Sequence, residues 1–348
     1  MDTLITVLIS ILVFGLLIFI HEFGHYIFAR IFKVKILEFS IGMGPKLIEY
    51  KSKKTDINYA IGVIPFGGYV AMAGEDGESE DPNAFDRKPA WQRFIITVAG
   101  AAVNIIAGFL VMLIYTSMVN IGGTTVAEFP TLEETGFEIS SYDSGLREGD
   151  EIIAVGGKRV RIADELQYEI MRRGYEPVVL TVIKDGKEMD ITVEFPTVGE
   201  SGQTFGCIDF RVYRDEKTFG KVISYAFSKG ILMMRMCGES LYDLITGRYS
   251  FEAVSGPVGI SSAIGDAAKA GALQLLYITA LISINLGVMN LLPIPALDGG
   301  RLISVLIEMI SRRRIPPRVE GTINAVGLFV LLAFSAVVLV KDVLALIF

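Results

Sequence analysis

The stretch GLLIFIHEFGHYIFARIF, residues 15–32, decides how the rest of the chain is read. It continues an apolar run that begins at Thr3 and carries no charge up to Ile20, so it reads as a membrane-crossing helix into which His21, Glu22 and His25 have been set. Ionisable groups in hydrocarbon cost on the order of a few kcal/mol each unless they have partners or a task. His21 and His25 are four residues apart, so on a helix they share one face about 6 Å apart along the axis, and their imidazoles can converge on one ion. The pattern is H-E-x-x-H, in which two neutral imidazoles hold Zn²⁺ and the glutamate takes a proton from the attacking water. No other histidine occurs in the chain. The plain alternative is a buried helix whose histidines bond to carbonyls of neighbouring helices, and the cost of idle polar groups in a membrane weighs against it.

The composition agrees with a membrane setting. Of 348 residues 51% are hydrophobic, and a mean hydropathy of +0.50 is too apolar for an ordinary soluble domain. The apolar residues fall in four blocks, Thr3 to Ile20 with its continuation, Phe94 to Ile121, Leu273 to Leu292 and Thr322 to Val340, which predicts four transmembrane helices. No Lys or Arg precedes the first block and no small-residue cleavage site follows it before Arg30, so it is expected to be a retained helix and not a secretory signal. Cations crowd the loop between blocks one and two, from Arg30 to Arg93, and the loop between three and four, with Arg301, Arg312, Arg313, Arg314 and Arg318. The positive-inside rule makes both loops cytoplasmic and puts both chain ends and the segment 122–272 outside. The net charge of −7 is spread over both sides and no basic face calls for nucleic acid. Cys207 and Cys237, both in the outer segment, lack metal-ligand spacing, and no bridge is expected between them.

A catalytic zinc takes three protein ligands and keeps a fourth position open. With no third histidine and both cysteines outside, the missing ligand is a carboxylate. At about 1.5 Å per residue from Leu4, His21 lies about 25 Å deep, in the cytoplasmic third of a core about 30 Å thick. The third block ends at that level in NLLPIPALDGGRL, residues 290–302, which offers Asp298. From spacing alone Asp298 is either the third ligand or the cap of a helix over 299–310.

Four motifs now carry a resemblance: HEFGHYIFARIFKVKILEFSIGMGPKL, IPFGGYVAMAGE, SGPVGI and NLLPIPALDGGRL. In this order they resemble the site-2 protease family of intramembrane zinc metalloproteases, in its bacterial branch with an inserted PDZ domain. The resemblance implies His21, His25 and Asp298 as zinc ligands, Glu22 as catalytic base, and Asn290 as the residue that helps hold the substrate backbone or the oxyanion. It also implies a multi-pass protein of the bacterial plasma membrane that cuts single-span membrane proteins, such as trimmed anti-sigma factors or remnant signal peptides, in regulated intramembrane proteolysis. One departure stands in AGAAVN, residues 99–104, where Ala101 occupies a position that is usually proline in the family.

Within the first loop, Thr55 to Ile64 and Gly68 to Met72 have β-like composition, with a turn expected over Pro65 and Phe66-Gly67-Gly68-Tyr69 between them. By themselves they predict an ordinary hairpin. The resemblance makes them a re-entrant β-loop around Ile61 to Met72, in which Gly67, Gly68 and Tyr69 meet the substrate by strand addition. Residues 144–195 read as turn, strand, turn, helix and a hairpin closed by Asp185-Gly186, an order that resembles a circularly permuted PDZ domain over 124–196. Its groove would take a peptide or chain end, or the domain would serve as a spacer. Phe219 to Thr246 suits an amphipathic helix on the membrane surface or against the PDZ domain, and equally domain core.

The expected fold is thus a polytopic α-helical membrane protein of four transmembrane helices, with a cytoplasmic-side membrane-associated β-loop and an extracytoplasmic α+β PDZ domain. Its parts are 1–32 with H-E-x-x-H, 33–92 with the β-loop, the second helix at 93–121, the PDZ domain at 124–196, a strand and amphipathic helix at 197–272, the third helix with the proline motif at 273–298, a cytoplasmic loop or helix at 299–321, and the fourth helix at 322–348. Two other functions fit parts of the pattern. A catalytically inactive PDZ-bearing scaffold has no use for Glu22, and a metal transporter would need ligands along a path and internal repeats, which the chain lacks.

Overall fold

The structure, a computed structural model, describes residues 3–75, 77–136, 139–200, 203–249 and 251–347. The chain divides into two compact units, Met1–Val111 with Ser255–Phe348, and Met112–Val254.

The first unit opens with α1 (Thr3–Ile31), whose 29 residues span about 43 Å at 1.5 Å per residue, more than a bilayer core. It stops where Lys33 turns left-handed at φ 56° and Val34 N–H bonds back to Ala29 O at 2.8 Å. Two long strands follow, β1 (Ile36–Lys51) and β2 (Asn58–Met72). Residues 36–41 of β1 have β2 on both sides: Ser40 lies opposite Tyr69 and also opposite Ala60, while Tyr50 pairs with Tyr59. The segments therefore lie in the order 68–72, 36–41, 58–62, 46–51. The Glu38 carboxylate ties all four together, accepting from Lys46 Nζ at 2.6 Å, Asn58 Nδ2 at 2.9 Å and Tyr69 OH at 2.6 Å. Apolar side chains on the sheet, among them Phe39, Val70 and Met72, form one core with Ala29 of α1 and Ile96 of α2 (Ala90–Met118).

One expectation changes here. The strand expected from Thr55 begins at Asn58, because residues 52–57 form the turn, with Ser52 N–H on Ile57 O at 2.9 Å and Asp56 left-handed at φ 57°. The reversal expected between the two strand segments is present: 58–61 runs alongside 38–41 in the same direction and 68–72 runs against 36–41 on its other side, so the chain turns back between 61 and 68, with Gly67 at φ 94°. The side chains of Pro65 and Phe66 fall outside the described residues.

The second unit follows the end of α2 with β3 (Gly122–Glu128), the single-turn helices α3 (Leu132–Thr135) and α4 (Ser140–Asp143), β4 (Glu151–Val155), β5 (Lys158–Arg159), α5 (Ala163–Arg173), β6 (Val178–Lys184) and β7 (Lys187–Val193). The hairpin of β8 (Thr197–Glu200) and β9 (Gln203–Gly206), then β10 (Arg211–Arg214) and α6 (Phe219–Ile245), complete it. The main sheet runs β10-β3-β4-β6-β7, with β5 on β4. The β6–β7 hairpin closes as read, with Asp185 at φ 50° and Gly186 at φ 76°, the two positive angles that a type I′ turn requires. Leu166 and Ile170 of α5 enter a core with Ile152, Leu180, Val182 and Val193. Helix α6 is bound to α5 by polar contacts: Arg172 with Asp243, Tyr168 OH with Glu239 Oε2 at 2.7 Å, and Arg235 with Glu169 at 2.6 Å. Cys207 and Cys237 are both free thiols.

The chain then returns to the first unit with α7 (Pro257–Ala270), α8 (Ala272–Asn290), α9 (Asp298–Ser311) and α10 (Pro317–Ile347). Helix α7 packs on α1, with Ile264 against Val13 and Leu17. Its first turn is held by Asp342 of α10, whose Oδ2 accepts the N–H groups of Gly256 and Gly259 at 3.0 Å each. Helices over Leu4–Ile31, Ala90–Met118, Ala272–Asn290 and Arg318–Leu344 are long and apolar enough to cross a membrane. They are the four apolar blocks of the sequence, and a helix satisfies its own backbone hydrogen bonds where water cannot.

Candidate metal centre

One turn of α1 separates His21 from His25, and both are buried. Asp298 comes to them from 273 positions further along the chain, at the start of α9. Its Oδ2 lies 3.0 Å from His21 Nε2 and 3.3 Å from His25 Nε2, and the two Nε2 atoms are 3.3 Å apart. Among the described residues this is the one group of three or more His, Cys, Asp or Glu side chains close enough to share an ion. The N-cap position of α9 belongs to Leu297, so Asp298 opens the helix as its first residue and does not cap it.

The triangle can be tested against zinc. Ligands at about 2.0–2.1 Å in tetrahedral directions stand about 3.3–3.4 Å from one another, and the three sides here are 3.0, 3.3 and 3.3 Å. Asp298 Oδ2 is buried and accepts no well-directed hydrogen bond, so its lone pairs are available. His25 Nδ1 lies 2.8 Å from Ile96 O. A carbonyl only accepts, so Nδ1 carries the hydrogen and Nε2 of the neutral ring keeps its lone pair for the shared point. Two imidazoles and one carboxylate converging on a single point is a donor set that zinc fits.

Helix α2 lines the site at four-residue spacing. Ile96 O holds His25, a Cβ built on Gly100 would fall 2.3 Å from His25 Nε2, and the amide of the fully buried Asn104 reaches His21 Nδ1 at 3.4 Å. The sequence reading did not find these three. A carbonyl leaves no mark in a sequence, and AGAAVN drew notice only for Ala101; the signal available was an asparagine in the middle of an apolar block.

Glu22 stands half-buried beside the histidines, and β2 runs against it: a Cβ built on Gly68 would lie 3.2 Å from Glu22 Cγ and 3.3 Å from Ile18 Cγ2. Segment 68–72 is the sheet's outer edge, with no further strand beside it among the described residues. Met72 N–H, at the end of that edge, donates to Glu75 Oε2 at 3.1 Å, and Glu75 is ion-paired with Arg301 of α9. Tyr69 is exposed and donates its OH to Glu38 across the sheet. Asn290 is the last residue of α8 and half-buried. A cavity of about 480 Å³ reaches Asp298, lined also by Glu75, Arg301, Arg314, Glu320 and Asn324.

The family model described as Peptidase family M50 matches residues 9–334. A chain of Clostridium acetobutylicum named "Putative zinc metalloprotease" is 34% identical over 97% of both chains. A protein of the same name in Fusobacterium nucleatum is 32% identical over 97% of this chain and 98% of its own length, and the zinc metalloprotease RasP of Geobacillus kaustophilus is 28% identical over 98% of each.

Proposed function

Because the chain belongs to peptidase family M50, the site-2 protease family, and its cofactor is zinc, we propose that this membrane metalloprotease cuts its substrates within the bilayer. The substrates we assign are single-span membrane proteins, of the kind represented by trimmed anti-sigma factors and remnant signal peptides, cut in regulated intramembrane proteolysis. The observation that carries the reading is the triangle of His21, His25 and Asp298, with Glu22 beside it on a helix apolar enough to cross a membrane.

In this reading His21, His25 and Asp298 hold zinc, which when bound supplies a Lewis acid that polarises the scissile carbonyl and acidifies the attacking water. Glu22 accepts the proton of that water and passes it to the departing amine, a transfer worth about 100- to 10,000-fold in rate. Asn290 helps hold the substrate backbone or the oxyanion. A membrane helix hides its peptide bonds, so the substrate must be held extended, and the free edge at 68–72 offers a strand to pair with. N–H groups alternate sides along a strand, so Gly68 and Val70 present theirs on the same edge as Met72. Gly68 brings this edge close to Glu22, which supports the strand-addition role of Gly67 and Gly68, with Tyr69 bracing the sheet behind them. The cavity beside Asp298, whose lining mixes charged groups and Asn324 with Leu297 and Leu328, gives water a way to the site.

Sidedness and the PDZ domain belong to the same proposal. The cations of the two loops support a cytoplasmic-side active site in a bacterial plasma membrane. The order of strand, helix and hairpin over 151–193 supports a PDZ domain at 124–196, placed outside, where its groove takes a chain end or its bulk turns away substrates that have not been trimmed. The test is a proteomic comparison of cells carrying the wild-type chain or Glu22→Gln. Single-span proteins should accumulate in the variant, and a membrane proteome unchanged between the two would end this reading.

A further inference from the structure

The two histidines of the triangle are held from behind by different groups. His25 Nδ1 meets Ile96 O at 2.8 Å, which fixes its hydrogen on Nδ1 and leaves Nε2 bare. For His21 to offer Nε2 to the same point, its hydrogen must also sit on Nδ1, and that atom needs an acceptor. The group in reach is the side-chain amide of Asn104, whose Nδ2 lies 3.4 Å from His21 Nδ1 in the structure.

Asn104 is 0% exposed, and an amide in an apolar helix is costly unless it has a task. Its backbone is locked by Ser283 of α8, whose Oγ donates to Asn104 O at 2.8 Å. It occupies the same face of α2 as Ile96 and Gly100, one turn further on at each step, so a single stripe of the helix serves both imidazoles. With the amide nitrogen toward His21, N–H would donate to a bare Nδ1, the ring hydrogen would move to Nε2, and that nitrogen could not ligate. Oδ1, on the far side in the structure, has no hydrogen-bond partner, so the half-turn of the amide that brings it to His21 breaks no bond of Oδ1. Which amide atom is oxygen is decided by chemistry and not by shape.

We propose that Asn104 is a positioning residue of the metal centre: its side-chain carbonyl accepts the Nδ1–H of His21 and holds the ring in the tautomer and orientation that leave Nε2 free for zinc. This rests on His21 being a ligand, as proposed above. The partners behind metal-bound histidines are worth about 10- to 100-fold in metal affinity.

The experiment measures zinc affinity of the full chain in detergent, by competition with a chelator, for wild type, Asn104→Leu, Asn104→Asp and His21→Ala, at matched helical content. Asn104→Leu keeps the shape and loses the acceptor, and should bind zinc about 10- to 100-fold more weakly. Asn104→Asp keeps an acceptor and should bind within a few-fold of wild type or more tightly. A purely packing role predicts the reverse order, with leucine tolerated and a buried acid harmful. Wild-type affinity in Asn104→Leu overturns the proposal, and so does equal loss in both variants, since an acceptor in place would then not have sufficed. His21→Ala separates the two layers: if it keeps wild-type affinity, the assignment of His21 as a ligand fails whatever Asn104 does.

Discussion

Gly100 of α2 and His25 of α1 approach so closely that a Cβ at position 100 would stand 2.3 Å from Nε2 and 2.8 Å from both neighbouring ring carbons. Ordinary contact needs about 1 Å more. Ring displacement of that size at a reacting centre costs about 100-fold. Gly100→Ala is therefore expected to lower both zinc affinity and cleavage, the latter about 100-fold, while helical content stays unchanged. Chelator competition and single-turnover cleavage measure the two losses.

The free edge at 68–72 leads to a separate expectation. Val70→Pro removes a backbone donor from the face where a substrate strand would pair, and one hydrogen bond is worth about 0.5–1.5 kcal/mol, so cleavage should drop up to about tenfold with zinc retained. Val70 is buried, so Val70→Ala serves as the packing control. Equal rates in the proline and alanine variants would remove this strand from substrate binding.

Glu38 gives a pH dependence outside the membrane helices. Burial pushes its carboxyl up, but hydrogen bonds from Lys46, Tyr69 and Asn58 outweigh that and hold it below the usual glutamate value of 4.5. A group whose folded pKa is depressed stabilises fully above its unfolded value and loses that contribution as pH falls through the folded one. The sheet should keep its amide-exchange protection at pH 6 and loosen below about 4.5. Glu38→Gln should be looser at pH 6 and flat across the same range.

Asp342 supports a stability prediction. Its Oδ2 receives two N–H groups at the start of α7, so Asp342→Ala orphans both, and each buried unpaired donor costs about 1–3 kcal/mol. Thermal unfolding of the full chain should show a clear drop for Asp342→Ala and a smaller one for Asp342→Asn, whose amide oxygen still accepts.

What could be read before the structure followed physical range. His21, Glu22 and His25 lie within five positions of one helix, and helical spacing alone brings the two imidazoles onto one face. Elimination and depth left Asp298 as either ligand or helix cap, because its partners lie far off in sequence, and only the family resemblance favoured the ligand. Strand β1 went unseen, since its alternation is broken around Gly42 and Gly44, both at positive φ, and most of its second half is exposed. Helix α7 was hidden by its small residues, which give little amphipathic contrast. The groups of α2 that meet the imidazoles, Ile96 O, Gly100 and Asn104, were not legible because a carbonyl, a missing Cβ and a buried amide acquire meaning only when another helix packs on them.

The central claim is that His21, His25 and Asp298 hold one zinc and that Glu22 moves the proton. Zinc content and cleavage of a single-span substrate, measured together on purified wild type, Glu22→Gln, His25→Ala and Asp298→Ala, test it most directly. The account predicts about one zinc per chain in wild type and in Glu22→Gln, with cleavage in Glu22→Gln reduced about 100- to 10,000-fold, and loss of both metal and cleavage in His25→Ala and Asp298→Ala. Full zinc retention in Asp298→Ala, or wild-type cleavage by Glu22→Gln, would contradict it.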